Sequence, residues 1–285
     1  MVSSCLLLDS GATKTEWVFL RKSERVAGGR LPGLHPFLTP ATVWRESLQA
    51  LQRATEGELV GEIFFYGTGC GSDQGCSQVK AYFNEFYRYG LQPFVDSDIL
   101  AAARALCGNK PGMVAILGTG SNMALYNGRE IIRQFGGFGY VLGDEGSGAA
   151  LGRALLRAFL YEQLPVHIAG HLETKYGLSR SAIIDAVYKG GTPSRYLASW
   201  AAELRLWAED SFIDSLIHRL FDEFVQSNVV PVATAEFRVL HCTGSVAQHF
   251  SPWLSAALGR ARLQLGKICQ APMEGLVDYH ITVNG

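Results

Sequence analysis

Residues 5–20 read CLLLDSGATKTEWVFL. The apolar run Leu6-Leu7-Leu8, a turn, and the alternation of apolar and polar residues from Thr15 to Leu20 form the pattern of two strands joined by a tight loop. The loop, Asp9-Ser10-Gly11-Ala12-Thr13-Lys14, concentrates small residues, two hydroxyls, one acid and one base where a buried strand surfaces. Small residues let backbone N–H groups approach an anion closely, hydroxyls add donors, and a carboxylate leaving a strand can hold Mg²⁺ through water. These are the parts of a phosphate cradle, although Gly/Ser/Thr turns also join ordinary hairpins.

The pattern recurs. Residues 113–126, MVAILGTGSNMALY, again give an apolar strand, a small hydroxyl-rich loop (Gly118-Thr119-Gly120-Ser121-Asn122) and a second strand. Asn127-Gly128 then carries a type I′ hairpin signal before Ile131 and Ile132. A third opening of the same kind runs from Phe237 to His241 into Cys242-Thr243-Gly244-Ser245. Three strand-to-loop units spread along the chain point to one composite site.

Taken in order, DSGATKTEW, VDSD, LGTGSN, GGFGYVLGDEGSG and TGS resemble the BadF/BadG-type sugar kinases, the N-acetylglucosamine kinase branch of the actin, Hsp70 and hexokinase superfamily. The resemblance runs from about Leu6 to Ser245. GTGSN followed by GDEGS is fairly specific for this branch, whereas DSGATKT alone is not. It implies an α/β, two-lobed actin-like ATPase (ribonuclease H-like) fold with a duplicated mixed β-sheet core and an interlobe cleft. Pro111-Gly112 marks the boundary expected between an N-terminal lobe, 1–111, and a C-terminal lobe, 112–285.

Composition sets bounds around that reading. The chain has 285 residues, enough for two cores, and a formal charge of −1, without the basic excess that a nucleic-acid or membrane surface needs. A small ligand is the expected partner. No apolar segment is long enough to span a bilayer, and the N-terminus lacks the basic and apolar regions of a signal peptide, so the expected location is cytoplasmic. The six cysteines are scattered, only Cys70 and Cys76 are close, and the flanks of that pair carry no histidine, which reads as reduced structural thiols. Glycine, 32 of 285 residues, exceeds the average of about 7%, and the excess sits in the candidate loops.

Between these loops the chain reads as ordinary scaffold with a few departures. Arg25 to Arg30 suit a third strand, followed by the rigid connection Leu31 to Phe37. The family places a sugar-contacting asparagine in that connection, where this chain has His35, equally readable as a turn histidine. Thr39-Pro40 predicts an N-cap and first-turn proline for a helix buried through Val43, Trp44, Leu48 and Leu51. EIFFY (62–66) predicts a buried strand ending in the small turn Gly67-Thr68-Gly69, and Val79, Tyr82, Phe83, Phe86 and Tyr87 form the stripe of a second helix.

Phe94-Val95-Asp96-Ser97-Asp98 delivers two carboxylates to the end of a short strand, just before a helix from Ile99 to Cys107. Ligands gather at such strand ends, and a carboxylate there can act as base or metal anchor; it can also simply cap the helix. The resemblance assigns the catalytic aspartate to Asp98. Further on, Gly136 to Tyr140 and Gly143 to Gly148 are too rich in glycine to pack a core and precede a helix through Leu155, Leu156, Phe159 and Leu160. By resemblance this segment holds a sugar through Gly137, Phe138, where relatives carry tryptophan, and Asp144, together with Thr119 and Asn122.

Residues 179–228 read as helices broken at Gly190-Gly191 and Pro193. Pro272 to Gly285 departs from relatives that continue into a helix returning to the first lobe.

The resemblance therefore implies ATP-dependent phosphorylation of an amino sugar, N-acetylglucosamine to its 6-phosphate, by a homodimer. Asp9 would hold Mg²⁺. Gly11, Thr13, Lys14, Thr15, Gly118, Thr119, Gly120 and Ser121 would grip the phosphates, with Gly244 and Ser245 at the adenosine end. The alternatives are kinases for N-acetylmuramate or glucosamine, an ATPase that activates a partner enzyme through a bridging iron–sulfur cluster, and a binding regulator without turnover.

Overall fold

The computed structural model describes residues 4–56, 58–87 and 91–284; residues 1–3 and 285 of the expected lobes lie outside that range. The chain forms two compact units. One runs to Asn109 and takes in Gly128–Glu130 and the chain from Pro272; the other comprises Lys110–Asn127 and Ile131–Ala271.

In the first unit β1 (Ser4–Ser10) pairs antiparallel with β2 (Lys14–Arg21), and β2 with β3 (Glu24–Pro32). After α1 (Ala41–Ala54), β4 (Glu62–Gly67) joins β1 in parallel. After α2 (Asp73–Phe86), β5 (Phe94–Ser97) joins β4 in parallel and leads directly into α3 (Asp98–Cys107). The sheet order is β3-β2-β1-β4-β5.

Strand periodicity explains why residues 5–8 are apolar without interruption. Leu6 and Leu8 face Trp44, Leu48 and Leu51 of α1 and Val79 and Phe83 of α2. Cys5 and Leu7 point to the other side, where they pack with Val18 and Leu20. Both faces of β1 are buried, and its carboxyl end brings Asp9 to the edge of the core.

The second unit repeats the plan. Here β6 (Gly112–Leu117), β7 (Ser121–Tyr126) and β8 (Ile131–Gly136) form the antiparallel part. The short α4 (Gly139–Leu142) and α5 (Gly148–Leu160) follow. Next comes a helical stretch of α6 (Val166–Tyr176), α7 (Arg180–Tyr188), α8 (Pro193–Ser199), α9 (Ala201–Leu206) and α10 (Ser211–Phe224), continued by a π-helical turn, Val225–Val229. Strand β9 (Val239–Thr243) pairs in parallel with β6; α11 (Ser245–His249) and α12 (Ser251–Arg260) lead to β10 (Gln264–Cys269), parallel to β9. The order β10-β9-β6-β7-β8 is that of the first sheet written from the other edge.

Three local expectations are corrected. Thr39 does not cap α1: its hydroxyl accepts the His35 N–H (2.9 Å) and donates to the Gly33 carbonyl (2.8 Å), so Pro40 takes the cap position. The β7–β8 connection is not a two-residue type I′ turn. Tyr126 pairs with Ile131, leaving four loop residues, and only Gly128 among them takes a positive φ, +97°.

Third, the end of the chain does return to the first unit. Helix α13 (Met273–Asn284) packs on α3 so closely that a β-carbon on Gly275 would stand 2.6 Å from the Ala105 carbonyl oxygen. Met273 and Val277 cover the face of β1 and β2 made by Cys5, Leu7, Val18 and Leu20. That apolar face needs a cover, and the last helix supplies it. Among the described residues no helix is long and apolar enough to cross a membrane.

Candidate functional site

In the first unit the carboxyl ends of three parallel strands carry the candidate chemistry. Ser10, Gly67 and Ser97 share one row across β1, β4 and β5, which sets Asp9, Thr68 and Asp98 within a residue of that row. Hydroxyls brace the loop after β1 from beneath. Ser10 Oγ and Thr15 Oγ1 are 2.8 Å apart, Thr15 donates to the Pro32 carbonyl (2.9 Å), and the Leu34 N–H donates to Ser10 Oγ (2.9 Å). Thr15 is fully buried and its hydroxyl is bonded inward, to Pro32 and Ser10. Ala12, Thr13 and Lys14 remain exposed at the tip, with Gly11 half-buried beside them.

The two buried carboxylates of Asp9 and Asp98 are both held above the usual range. Burial pushes the Asp9 carboxyl up to about 7, the charges of Asp98 and Glu16 add to the shift, and Lys14 opposes it. Burial also raises Asp98, while hydrogen bonds from the Thr68 hydroxyl and from the backbone at Ile99 and Asp98 pull the other way. Such an acid pair calls for a cation. Among the described residues no three His, Cys, Asp or Glu side chains converge as a ligand set. One or two carboxylates at a strand end are the protein ligands that a cation keeping several of its waters would take.

His35 lies close by. Its Nδ1 accepts the N–H groups of Phe37 (3.2 Å) and Leu38 (3.3 Å), and burial holds its pKa down, so the neutral ring carries its proton on Nε2. That donor faces the turn after β4: a β-carbon on Gly69 would stand 2.7 Å from His35 Nε2. Asp96 turns back on its own backbone, accepting the Ser97 N–H at 2.7 Å.

The second unit gathers the other candidates. The turn Gly118-Thr119-Gly120 is pinned to the start of α5, where the N–H groups of Gly148 and Ala149 donate to the carbonyls of Gly118 (2.8 Å) and Thr119 (3.0 Å). The Ser121 N–H donates to Asp144 Oδ1 (3.3 Å), which ties the loop to this carboxylate. Asp144 is buried, its pKa is raised by that burial, and it sits at φ +62°, a conformation that residues other than glycine adopt uncommonly. It does not cap α5; Ser147 does, accepting the Ala150 N–H at 3.1 Å.

Gly120 lies against this carboxylate, and Gly137 lies against Asn122. A β-carbon on Gly120 would fall 2.9 Å from Asp144 Oδ2, and one on Gly137 would fall 3.2 Å from Asn122 Oδ1. Asn122 Oδ1 accepts from Gln134 (3.0 Å), leaving its amide nitrogen for another partner. Phe138 is 65% exposed, a large ring with no core to fill. The third loop arrives by close backbone approach: Gly244, at φ +111°, leaves no room for a β-carbon, which would meet the Leu117 carbonyl. Thus Gly244 and Ser245 lie beside Gly118.

Sequence reasoning missed several participants. Asn228, on the π-helical turn, is buried and donates to Glu145 Oε2 (3.3 Å), and its Oδ1 faces Gly136. Such turns interrupt helices often at functional sites, but their sequence leaves no periodic mark. Thr68 stood in a noticed turn but carried no motif.

No family model matches the chain, and no curated protein is similar to it in sequence. Solved structures are similar. A protein of Porphyromonas gingivalis, provisionally assigned as an N-acetylglucosamine kinase, is 34% identical, with 99% of this chain and 100% of that one covered and a TM-score of 0.91. One from Chromobacterium violaceum, with the same provisional assignment, is 20% identical over 98% and 99%, with a TM-score of 0.68. A ROK family glucokinase from Streptomyces griseus, solved with glucose and AMPPNP, shares the fold at 15% identity, 97% coverage of both chains and a TM-score of 0.58. With two duplicated sheets, the motif order read from the sequence and a 34% identical relative along nearly its whole length, the chain belongs to the N-acetylglucosamine kinase branch of the actin, Hsp70 and hexokinase superfamily.

Proposed function

We propose that this sugar kinase transfers the γ-phosphoryl group of ATP to the 6-hydroxyl of N-acetylglucosamine. The observation that carries the reading is Asp98, a carboxylate at the end of β5 fixed by a side-chain hydrogen bond at the first residue of α3. Phosphoryl transfer asks a protein mainly for positioning and charge stabilisation. Asp98 orients the acceptor hydroxyl and takes its proton as the oxygen becomes acidic in the transition state. Gly11, Thr13 and Lys14, and likewise Gly118, Thr119 and Gly120, are read as amides, hydroxyls and one ammonium suited to phosphate oxygens, with Gly244 and Ser245 suited to the nucleoside end.

Asp9 would hold Mg²⁺ through water, and the ion would neutralise charge on the phosphates. Asp144, Asn122, Thr119 and Gly137 provide polar contacts for sugar hydroxyls, Phe138 offers a ring face, and His35 offers a single N–H donor that suits an acetamido carbonyl. The assignment of the 34% identical relative supports N-acetylglucosamine over N-acetylmuramate, glucosamine or glucose.

Against an iron–sulfur ATPase activator stands the packing of the thiols: Cys70 is buried, and the Cys76 sulfur donates to the Cys70 carbonyl. The test is ADP release with Mg-ATP across N-acetylglucosamine, glucosamine, N-acetylmuramate and glucose, in the wild type and in Asp98→Asn. N-acetylglucosamine should give the highest kcat/KM, and Asp98→Asn should bind both substrates with turnover reduced at least about 100-fold. ADP release that ignores sugar would overturn the kinase reading.

A further inference from the structure

We infer that Thr68 is a positioning residue that fixes the carboxylate of Asp98 for phosphoryl transfer; the inference rests on the reading of Asp98 as the base. Thr68 Oγ1 donates to Asp98 Oδ2 at 2.6 Å, a short, charge-assisted bond.

The threonine is itself held in place. Its N–H donates to the Ser10 carbonyl at 2.9 Å, next to Asp9, and the turn it belongs to is closed by the Cys70 N–H on the Gly67 carbonyl at 3.0 Å. Gly69 takes φ +89° within that turn. The side chain thus reaches from the middle strand of three parallel neighbours to the acid on the outer one, while its backbone is anchored to the strand bearing the phosphate loop.

The bond addresses the one soft coordinate of an aspartate at a helix start. Rotation of the carboxylate about its last torsion is broad, without discrete wells, so backbone geometry places the group but does not aim it. A donor on Oδ2 fixes the plane and hence the direction of the remaining lone pairs. Misaiming a base by a small angle costs rate, not binding. Serine could supply the same donor; valine, of nearly the same shape, cannot.

The test compares wild type, Thr68→Val, Thr68→Ser and Asp98→Asn in kcat, in KM for Mg-ATP and for each sugar of the panel, and in melting temperature. Thr68→Val should lose about 10- to 100-fold in kcat with both KM values within about twofold and an unchanged melt. Thr68→Ser should recover most of kcat. With Asp98→Asn silent, a Thr68→Val kcat within about twofold of wild type would overturn the positioning role alone. A raised KM with kcat intact would make Thr68 a binding residue instead, and failure of Thr68→Ser to restore kcat would remove the hydroxyl from the argument. Turnover by Asp98→Asn near wild type, or no turnover of any sugar by wild type, would sink the base reading and this inference with it.

Discussion

The hydroxyl of Tyr66 lies 2.9 Å from Nε2 of His280, 214 positions further along the chain. Arg104 donates to the same hydroxyl, so the phenol proton is free to go to His280 and the imidazole accepts it as a neutral ring. His280 is 4% exposed, its ring centroid 4.2 Å from that of Phe64 at a tilt of 49°, and burial followed by the Arg104 charge pushes its pKa down to about 3.

That depressed pKa makes acid selectively costly. Below about 6.5 the unfolded chain binds a proton at His280 that the folded chain refuses until about pH 3, so stability falls through this window by up to about 1.4 kcal/mol per pH unit. His280→Leu should be less stable than wild type at pH 7, through the lost bond to Tyr66, and the gap should narrow by about 2 kcal/mol at pH 5. Urea unfolding at the two pH values decides it; a constant gap would contradict a neutral His280.

Asp9 has the opposite sign. With a folded pKa of about 7 against an ordinary 3.8, the folded chain keeps a proton that the unfolded chain releases, and stability drops as pH rises from about 4 to 7. Ligand-free Asp9→Asn should melt higher than wild type at pH 8, on the order of 5 °C, with the gain vanishing near pH 4, and should lose turnover with Mg-ATP. Equal melting temperatures at pH 8 would show that Asp9 is not strained by its neighbours.

Gly33 supports the first phosphate loop from behind. Its N–H donates to the Thr13 carbonyl (3.2 Å), and a β-carbon there would stand 2.6 Å from the Gly11 carbonyl oxygen. Gly33→Ala should push the loop outward and raise KM for Mg-ATP about tenfold, while KM for the sugar stays within about twofold. A change confined to the sugar would separate this loop from the nucleotide.

Phe138 is exposed, so Phe138→Ala should leave the melting temperature within about 2 °C. If its ring stacks on the sugar, KM for N-acetylglucosamine should rise about 3- to 10-fold, and Phe138→Trp should hold or lower it. Wild-type KM in Phe138→Ala would remove the ring from the sugar site.

The duplicated sheets were legible because each opens with an uninterrupted apolar strand and a small loop, a pattern that local chemistry enforces. Asp98 was legible for the same reason: a strand of four residues and a helix start within one turn of chain. The inward bonding of Thr15 was not legible, because a hydroxyl in a phosphate-type loop looks the same whether it faces out or, as here, is bonded to Pro32 and Ser10. Asn228 and Thr68 escaped because their partners, Glu145 and Asp98, lie 83 and 30 residues away, and spacing carries no record of such meetings. Helix α13 was missed on composition, since its docking rests on Met273, Val277, Gly275 and His280 and not on a glycine/alanine run.

That last helix has a consequence for synthesis. On the ribosome Cys5, Leu7, Val18 and Leu20 are made some 250 positions before Met273 and Val277, the residues that cover them. The strands and helices of the second unit up to Ala271 are also made before that cover, while the opening sheet still shows an oily face. The opening sheet is therefore finished only by residues made long after its own strands, so its folding waits on the synthesis of a distant helix.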